Sequence, residues 1–278
     1  GMARPIWTGA VSFGLVSIPV KLYSATQDRS VRFHQIDGRT GSRVRQKRVS
    51  EADGSEVPYD RIVKGYELAS GTYVTLTNEE LEGLDPKASR AIDLVRFVDQ
   101  STIDPIYYDS AYLLGPDPAA PKPYMLLRQA MADAGKVAVG TFVMRGKERL
   151  CALRPGDDGR SLLLNTMRYA DEIRSISEID EFEALEDVSV TDAELAMAEQ
   201  LIASLDGDFD PEEYHDEYRE KVLELIGRKS EGEDVVTPQV PAEPNKVIDL
   251  MAALEASVAE AKAARKRHPT TAADDDVE

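Results

Sequence analysis

From residue 9 to residue 24 apolar and polar positions alternate, but on two parities. Val11, Phe13 and Leu15 share one register, and Val16, Ile18, Val20 and Leu22 share the other. Successive strand side chains point to opposite faces, so this predicts strand with a change of parity, and Pro19 marks an edge or bulge. Val31–Ile36 alternates again. Further strands are predicted at Tyr73–Thr77, Asp93–Val98, Ile106–Tyr108, Ala111–Leu114, Val137–Met144, Arg149–Leu153 and Ser161–Met167. Asp37-Gly38, Asp53-Gly54, Arg145-Gly146 and Asp158-Gly159 punctuate them as turns. One clear helix interrupts the series: Pro123–Ala134 opens on a proline and stops at Gly135, a residue suited to the left-handed position after a helix. Asn78–Leu84 reads as a shorter helix.

Beyond residue 178 the period changes from two to that of a helix. Thr191-Asp192-Ala193-Glu194 is a capping box, followed by an apolar stripe of Leu195, Ala198, Leu201, Ile202 and Leu205. Asp210-Pro211-Glu212-Glu213 predicts the start of a second helix, striped by Tyr214, Tyr218, Val222, Leu225 and Ile226. Residues 230–244, with three prolines, read as a flexible linker. Residues 245–267 predict an amphipathic helix with Val247, Leu250, Met251, Leu254, Val258 and Ala261 on one face, and 270–278 reads as a disordered tail. The layout is α+β. Residues 2–178 form a β-barrel or sandwich body, 179–229 a helical arm, and 230–278 the linker, final helix and tail.

Charge sharpens this division. The net charge is −18 over 278 residues, yet up to residue 178 there are 24 Lys and Arg against 23 Asp and Glu. The remaining residues hold 9 against 28, so the imbalance lies in the helical part. The opposite extreme is a basic block of Arg29, Arg32, Arg39, Arg43, Arg45, Lys47 and Arg48, broken only by Asp37. Such asymmetry separates a surface suited to polyanions from one that repels them. The single cysteine, Cys151, excludes an intrachain disulfide framework and fits a reducing compartment. Gly1 ahead of Met2 is read as a remnant of tag removal. No stretch has the length and apolarity of a membrane span, so cytosol or nucleoid is the expected location.

Familiar chemistry is missing from the motifs. Gly140 and Gly146-Lys147 suggest a phosphate-binding loop, but five residues separate the glycines and Glu148 follows the lysine. A hairpin accounts for them. The acids at 206–213 suggest a calcium loop, but Pro211 stands where the turn needs glycine. His34, His215 and His268 share no metal-ligand spacing. Cys151 sits in an alternating strand as a core residue. The expectation is a non-catalytic protein with neither metal nor cofactor.

Arg43-Val-Arg45-Gln-Lys47-Arg48 carries the most weight. In an extended strand Arg43, Arg45 and Lys47 would point to one face about 7 Å apart, which suits successive phosphates of a nucleic-acid strand. A solvated edge strand kept basic against aggregation explains the same pattern. The wider sequence resembles bacterial Ku. The resemblance rests on Ala3-Arg4-Pro5-Ile6-Trp7-Thr8-Gly9, Arg45-Gln-Lys47-Arg48-Val49 and Ile62-Val63-Lys64-Gly65-Tyr66-Glu67. It continues through Met167-Arg168-Tyr169-Ala170-Asp171-Glu172-Ile173, Tyr218-Arg219-Glu220-Lys221 and Val247–Glu255, in family order over roughly residues 2–260.

The resemblance implies a Ku-like β-barrel core with a DNA-encircling basic bridge at about 29–66, followed by the helical arm. It implies a ring-shaped homodimer that threads onto double-stranded DNA ends without reading sequence and recruits the ATP-dependent DNA ligase D for non-homologous end joining. The expected DNA contacts are Arg32, Arg39, Arg43, Arg45, Lys47, Arg48 and Lys64, with Arg145, Lys147 and Arg149 as a second set. An adaptor whose acidic helices bind a basic protein partner is the alternative. Two departures stand out: Ser50 occupies a position where relatives often carry cysteine, and the C-terminus is acidic where many relatives are lysine-rich.

Overall fold

The computed structural model describes residues 3–69, 71–84, 90–232 and 249–267. It divides into two units, 1–175 and 176–278. Most of the linker predicted at 230–244, the first residues of the helix predicted at 245–267 and the tail at 270–278 lie outside the described residues.

The alternating segments of the first unit close into a seven-stranded barrel. Its strands are β1 (Trp7–Phe13), β2 (Val16–Ser24), β5 (Ala91–Asp99), β6 (Tyr108–Pro116), β7 (Lys136–Met144), β8 (Lys147–Pro155) and β9 (Leu162–Met167), joined in the order β1-β2-β6-β9-β8-β7-β5. Between them lie β3 (Lys64–Glu67) and β4 (Tyr73–Leu76), a separate two-stranded sheet, and the short helix α1 (Asn78–Gly83). All neighbours in the barrel run antiparallel except β1 and β5, whose parallel pairing of Ala10–Ser12 with Ala91–Asp93 closes the ring. Closure leaves no barrel edge exposed.

The parity change read in residues 9–24 is a hairpin turn, with Gly14 at φ 58° between β1 and β2. Pro19 pairs with Ala10 inside this hairpin rather than marking a free edge. Its carbonyl accepts from the Asp117 amide, just past the last paired residue of β6, so the missing proline N–H falls where the neighbouring strand has ended. The two short strands predicted at 106–108 and 111–114 become one strand, with a register shift between Tyr108 and Ala111. That bulge interrupts the alternation.

The interior is apolar and built by the period of two. Ile18, Val20 and Leu22 of β2, Phe142 and Met144 of β7, Cys151 and Leu153 of β8, and Leu162 and Leu164 of β9 are all buried. Helix α2 (Pro121–Ala134) adds Tyr124, Leu127 and Met131 to the same cluster, and Gly135 ends it at φ 63°. The Tyr124 hydroxyl donates to the Leu114 carbonyl at 2.6 Å and accepts from the Leu162 amide at 2.7 Å. It thereby satisfies two buried backbone groups where β6 meets β9. The Trp7 indole N–H donates to the Val143 carbonyl at 2.9 Å.

Gly140 owes its place to packing. A Cβ there would come within 2.3 Å of the Asp93 carbonyl oxygen, at the point where β5 shifts register. Gly146 lies in the β7–β8 turn at φ 69°, next to Arg145 at φ 55°. The two glycines of the loop-like motif therefore serve a strand contact and a hairpin.

In the second unit, α3 (Asp192–Ser204) starts at the predicted capping box. Thr191 Oγ1 accepts from the Glu194 amide at 3.3 Å, and Glu194 Oε2 accepts from the Thr191 amide at 2.8 Å. The next helix starts later than predicted. Asp210 caps only a single turn, Pro211–Glu213, and α4 (Glu217–Ser230) begins after Asp216, whose carboxylate accepts from the Arg219 amide at 2.9 Å. The chain is extended at Tyr214, whose ring stacks on Phe209 at 5.6 Å instead of joining the α4 stripe. Helix α5 (Leu250–Arg267) lies against α3. Its Val258 is buried, and Met251, Leu254 and Ala261 of the predicted face are half-buried, whereas Leu250 is exposed.

Candidate nucleic-acid interface

Between β2 and β3 the chain leaves the barrel and runs as an exposed ribbon. Val31–Ile36 forms no strand despite its alternation: Ile36 and Arg43 make one β-bridge, and Val49 and Glu56 make another. Phe33 and Ile36 are 73% and 50% exposed, so no buried face rewards the alternation with a sheet. An isolated two-stranded ribbon is marginal in water. Its turns supply the order.

The two turns are built alike. In the first, the Asp37 amide donates to the Ser42 carbonyl at 2.9 Å and the Gly41 amide to the Asp37 carbonyl at 2.8 Å. In the second, the Ser50 amide donates to the Ser55 carbonyl and the Gly54 amide to the Ser50 carbonyl, both at 2.8 Å. Gly41 and Gly54 stand at φ 69° and 70°, where a Cβ would be strained. Side chains lock each turn: Asp37 accepts from the Arg39 amide at 2.9 Å, and Asp53 accepts from the Ser55 amide at 3.0 Å.

This arrangement sorts the charges. The Arg39 backbone N–H holds the Asp37 carboxyl below its usual range, and the Ser55 hydroxyl does the same for Asp53. Hydrogen bonds from Ser30 likewise lower Asp28. The acids are thus ionised and committed to turn geometry, while the cations extend into solvent. Arg32, Arg39, Arg43, Arg45, Lys47, Arg48 and Lys64 are all exposed. They are not equivalent. Lys47 Nζ lies 2.7 Å from Glu56, and Arg32 lies 3.9 Å from Asp28. The Arg48 guanidinium sits 5.5 Å above the Tyr59 ring. Arg39, Arg43, Arg45 and Lys64 make no salt bridge among the described residues, leaving their charge available to a ligand.

Lys64 starts β3, paired with Leu76 of β4. The second predicted set sits elsewhere, on the β7–β8 hairpin. Arg145 and Lys147 are exposed at its turn, but Arg149 is half-buried, with a buried Nε that has no hydrogen-bond partner. The structure therefore gathers the first set on one ribbon and its adjoining sheet, and places the second on a different element.

Reasoning from charge alone passed over the aromatics of this region. Phe33, Tyr59 and Tyr66 are 73%, 80% and 68% exposed. Their interleaving with Arg and Lys was the available signal, since stacking rings among cations is a feature of nucleic-acid surfaces. A second role that the sequence did not assign is that of Arg168. Its guanidinium donates to the carbonyls of Tyr108 and Ile106 at 2.5 and 3.2 Å and pairs with Asp109 at 3.2 Å. It braces the irregular start of β6 and is committed to the fold.

Among the described residues no three His, Cys, Asp or Glu side chains gather as a metal site requires. Cys151 is fully buried, and burial pushes its thiol up to about 12. Among the described residues no helix is long and apolar enough to cross a membrane.

Comparison with known proteins agrees with this architecture. A protein named non-homologous end joining protein Ku from Anaeromyxobacter sp. (strain K) is 48% identical over 271 residues, covering 98% of this chain and 90% of that protein. One named non-homologous end joining protein Ku 1 from Saccharopolyspora erythraea is 46% identical over 95% of this chain and 81% of its own length. The Mycobacterium tuberculosis (strain H37Rv) protein named non-homologous end joining protein Ku is 40% identical over 96% and 99%. The family model described as the Ku70/Ku80 beta-barrel domain matches residues 12–197, and with these relatives it establishes that the chain belongs to the Ku family.

Proposed function

We propose that this chain binds the ends of double-stranded DNA, independently of base sequence, in non-homologous end joining. The observation that carries the reading is the ribbon at 29–66. Asp37 and Asp53 are held in its turns, its seven candidate cations are exposed, and it leaves a barrel of the family whose relatives bear the end-joining name. Extended cations without a groove-reading helix suit phosphate contact, which positions a protein on DNA but carries no sequence information.

In this reading the ribbon is the bridge of a ring formed by two copies. The exposed face of α4 supports an interface between copies: Tyr218, Leu223 and Ile226 are 78%, 47% and 43% exposed. Exposed apolar side chains gathered on one helix suit burial against a second copy. DNA ligase D is the proposed recruited partner. The apolar face of α5 packs on α3, so a ligase contact through α5 would use its outward positions, such as Glu255 and Lys262. No catalytic step is assigned to the chain, and its proposed place of action is the bacterial nucleoid.

Charge reversal tests the reading. Arg43→Glu, Arg45→Glu and Lys47→Glu together should abolish the gel shift of a short linear duplex at 0.1 M salt (an ionic strength with a Debye length of about 10 Å). Loss of DNA binding by an intact, folded variant supports the bridge. Unchanged DNA binding refutes it, and binding to a basic protein in place of DNA favours the adaptor.

A further inference from the structure

The two-stranded sheet of β3 and β4 has two free edges, and they differ in chemistry. The Leu68 amide donates to the Thr72 carbonyl at 2.8 Å, and the register then pairs Glu67 with Tyr73, Tyr66 with Val74 and Gly65 with Thr75. Hydrogen-bonded and non-hydrogen-bonded pairs alternate along an antiparallel ladder. Tyr66 and Val74 therefore bond to each other. The N–H and C=O groups of Gly65 and Glu67 point outward from β3, and those of Tyr73 and Thr75 point outward from β4.

A free edge accepts another strand unless charge, proline or a bulge blocks it. On β3, Lys64 and Glu67 flank Gly65 and Tyr66. On the β4 side, Thr72-Tyr73-Val74-Thr75-Leu76-Thr77 has no charge, proline or glycine, and every residue except Leu76 is β-branched or aromatic. Tyr73 and Val74 are 61% and 44% exposed. A Cβ on Gly65 would lie 3.4 Å from the Tyr73 side chain, so that aromatic group leans back over β3 and leaves the outer edge of β4 open. Two strands alone are marginal in water, and further strands stabilise them.

The strand that fits this edge is a second β4. A two-fold axis beside Val74 sets Tyr73 of each copy opposite Thr75 of the other. These are the residues whose backbone groups point outward, so four N–H···O=C bonds form and none of those groups is left over. Val74 meets its own counterpart as a close non-hydrogen-bonded pair, and Tyr73 packs beside a threonine; both are favourable cross-strand contacts. With no charge in the run, nothing in it repels its own copy and nothing in it attracts a polyanion.

We propose that β4 pairs with β4 of a second copy, making one continuous four-stranded sheet. This rests on the reading of the chain as a DNA-encircling ring of two copies and deepens it. The ribbon runs directly into β3, so the shared sheet ties the two ribbons together at their feet.

The test uses the full chain with a linear duplex present. Facing Cα atoms of a non-hydrogen-bonded pair lie about 4.5 Å apart, within reach of a disulfide. Val74→Cys should therefore give a disulfide-linked dimer on oxidation with diamide, and buried Cys151 stays out of the reaction. Tyr73→Cys should stay monomeric on the same denaturing gel, because its counterpart lies two residues out of register, roughly 8 Å away. Adding Thr75→Pro to Val74→Cys removes an outward N–H without touching the bonds to β3, and should abolish the cross-link. A Val74→Cys protein that does not cross-link overturns the proposal. So does equal cross-linking by Tyr73→Cys, or a cross-link that survives Thr75→Pro. Sedimentation of the unmodified protein on the same duplex separates the two readings. Two copies per end without the Val74→Cys cross-link would refute the shared sheet and leave the two-copy ring standing; one copy per end would refute the ring and this proposal with it.

Discussion

Arg43 and Arg45 are exposed and make no salt bridge among the described residues, so their removal gives a quantitative test of the ribbon. Each phosphate neutralised by a cation releases condensed counterions, and log K falls against log salt by about 0.9 per contact on duplex DNA. At 0.15 M salt, relative to 1 M, one contact is then worth about fivefold, or roughly 1 kcal/mol. Arg43→Gln with Arg45→Gln should reduce the slope by about 1.8 per bound chain and the affinity about 30-fold at that salt. If two chains hold one end, the slope falls by about 3.6. Lys47 provides the internal control, because it is neutralised by Glu56 at 2.7 Å. Lys47→Gln with Glu56→Gln keeps the local net charge and should leave the slope unchanged. Fluorescence anisotropy of a labelled linear duplex, titrated between 0.05 and about 0.3 M salt (the range over which such slopes are resolved), reads both numbers. An unchanged slope in the arginine double variant would show that these guanidiniums do not meet phosphate.

Three further predictions concern the barrel. Tyr124→Phe strips two buried backbone groups of their shared partner and should destabilise by about 1–3 kcal/mol, read as a shift of the urea midpoint at constant m; a change below about 0.5 kcal/mol, within the range of ordinary surface substitutions, would mean that the strands close on each other without it. The Cys151 thiol has its folded pKa raised from 9.0 to about 12, so the stability it contributes is complete below pH 9 and is lost as pH rises towards 12. Between pH 9 and 10 the protein should lose about 1 kcal/mol that Cys151→Ala does not lose; parallel pH profiles of the two proteins would contradict this. Arg145 stands at φ 55° in the β7–β8 turn, so Arg145→Asn should raise stability by about 1 kcal/mol, seen as a rise of a few degrees in Tm.

The barrel was legible because a period of two with one buried face is a strong signal. The strands over 137–153 and 161–167 and the helix ending at Gly135 follow that pattern closely. What closes the barrel was not legible: the parallel pairing of β1 with β5 joins residues about eighty positions apart, and no local pattern encodes it. Val31–Ile36 shows the reverse failure, since alternation without a surface to pack on gave an exposed ribbon. The Thr191–Glu194 box located its helix because a cap is a local hydrogen-bond pattern. Asp210 misplaced the next helix because Asp216 offers a second cap six residues later. At the candidate interface the cations could be counted from sequence. That Asp37 and Asp53 are spent on turns, that Lys47 is paired and that Arg149 is half-buried required the fold.

The claim most open to direct test is that binding requires a DNA end. A labelled linear duplex should be challenged with unlabelled linear DNA or with covalently closed circular DNA of the same sequence. End binding predicts that linear DNA competes far better per base pair. Equal competition by the closed circle would contradict end binding and leave general duplex binding in its place.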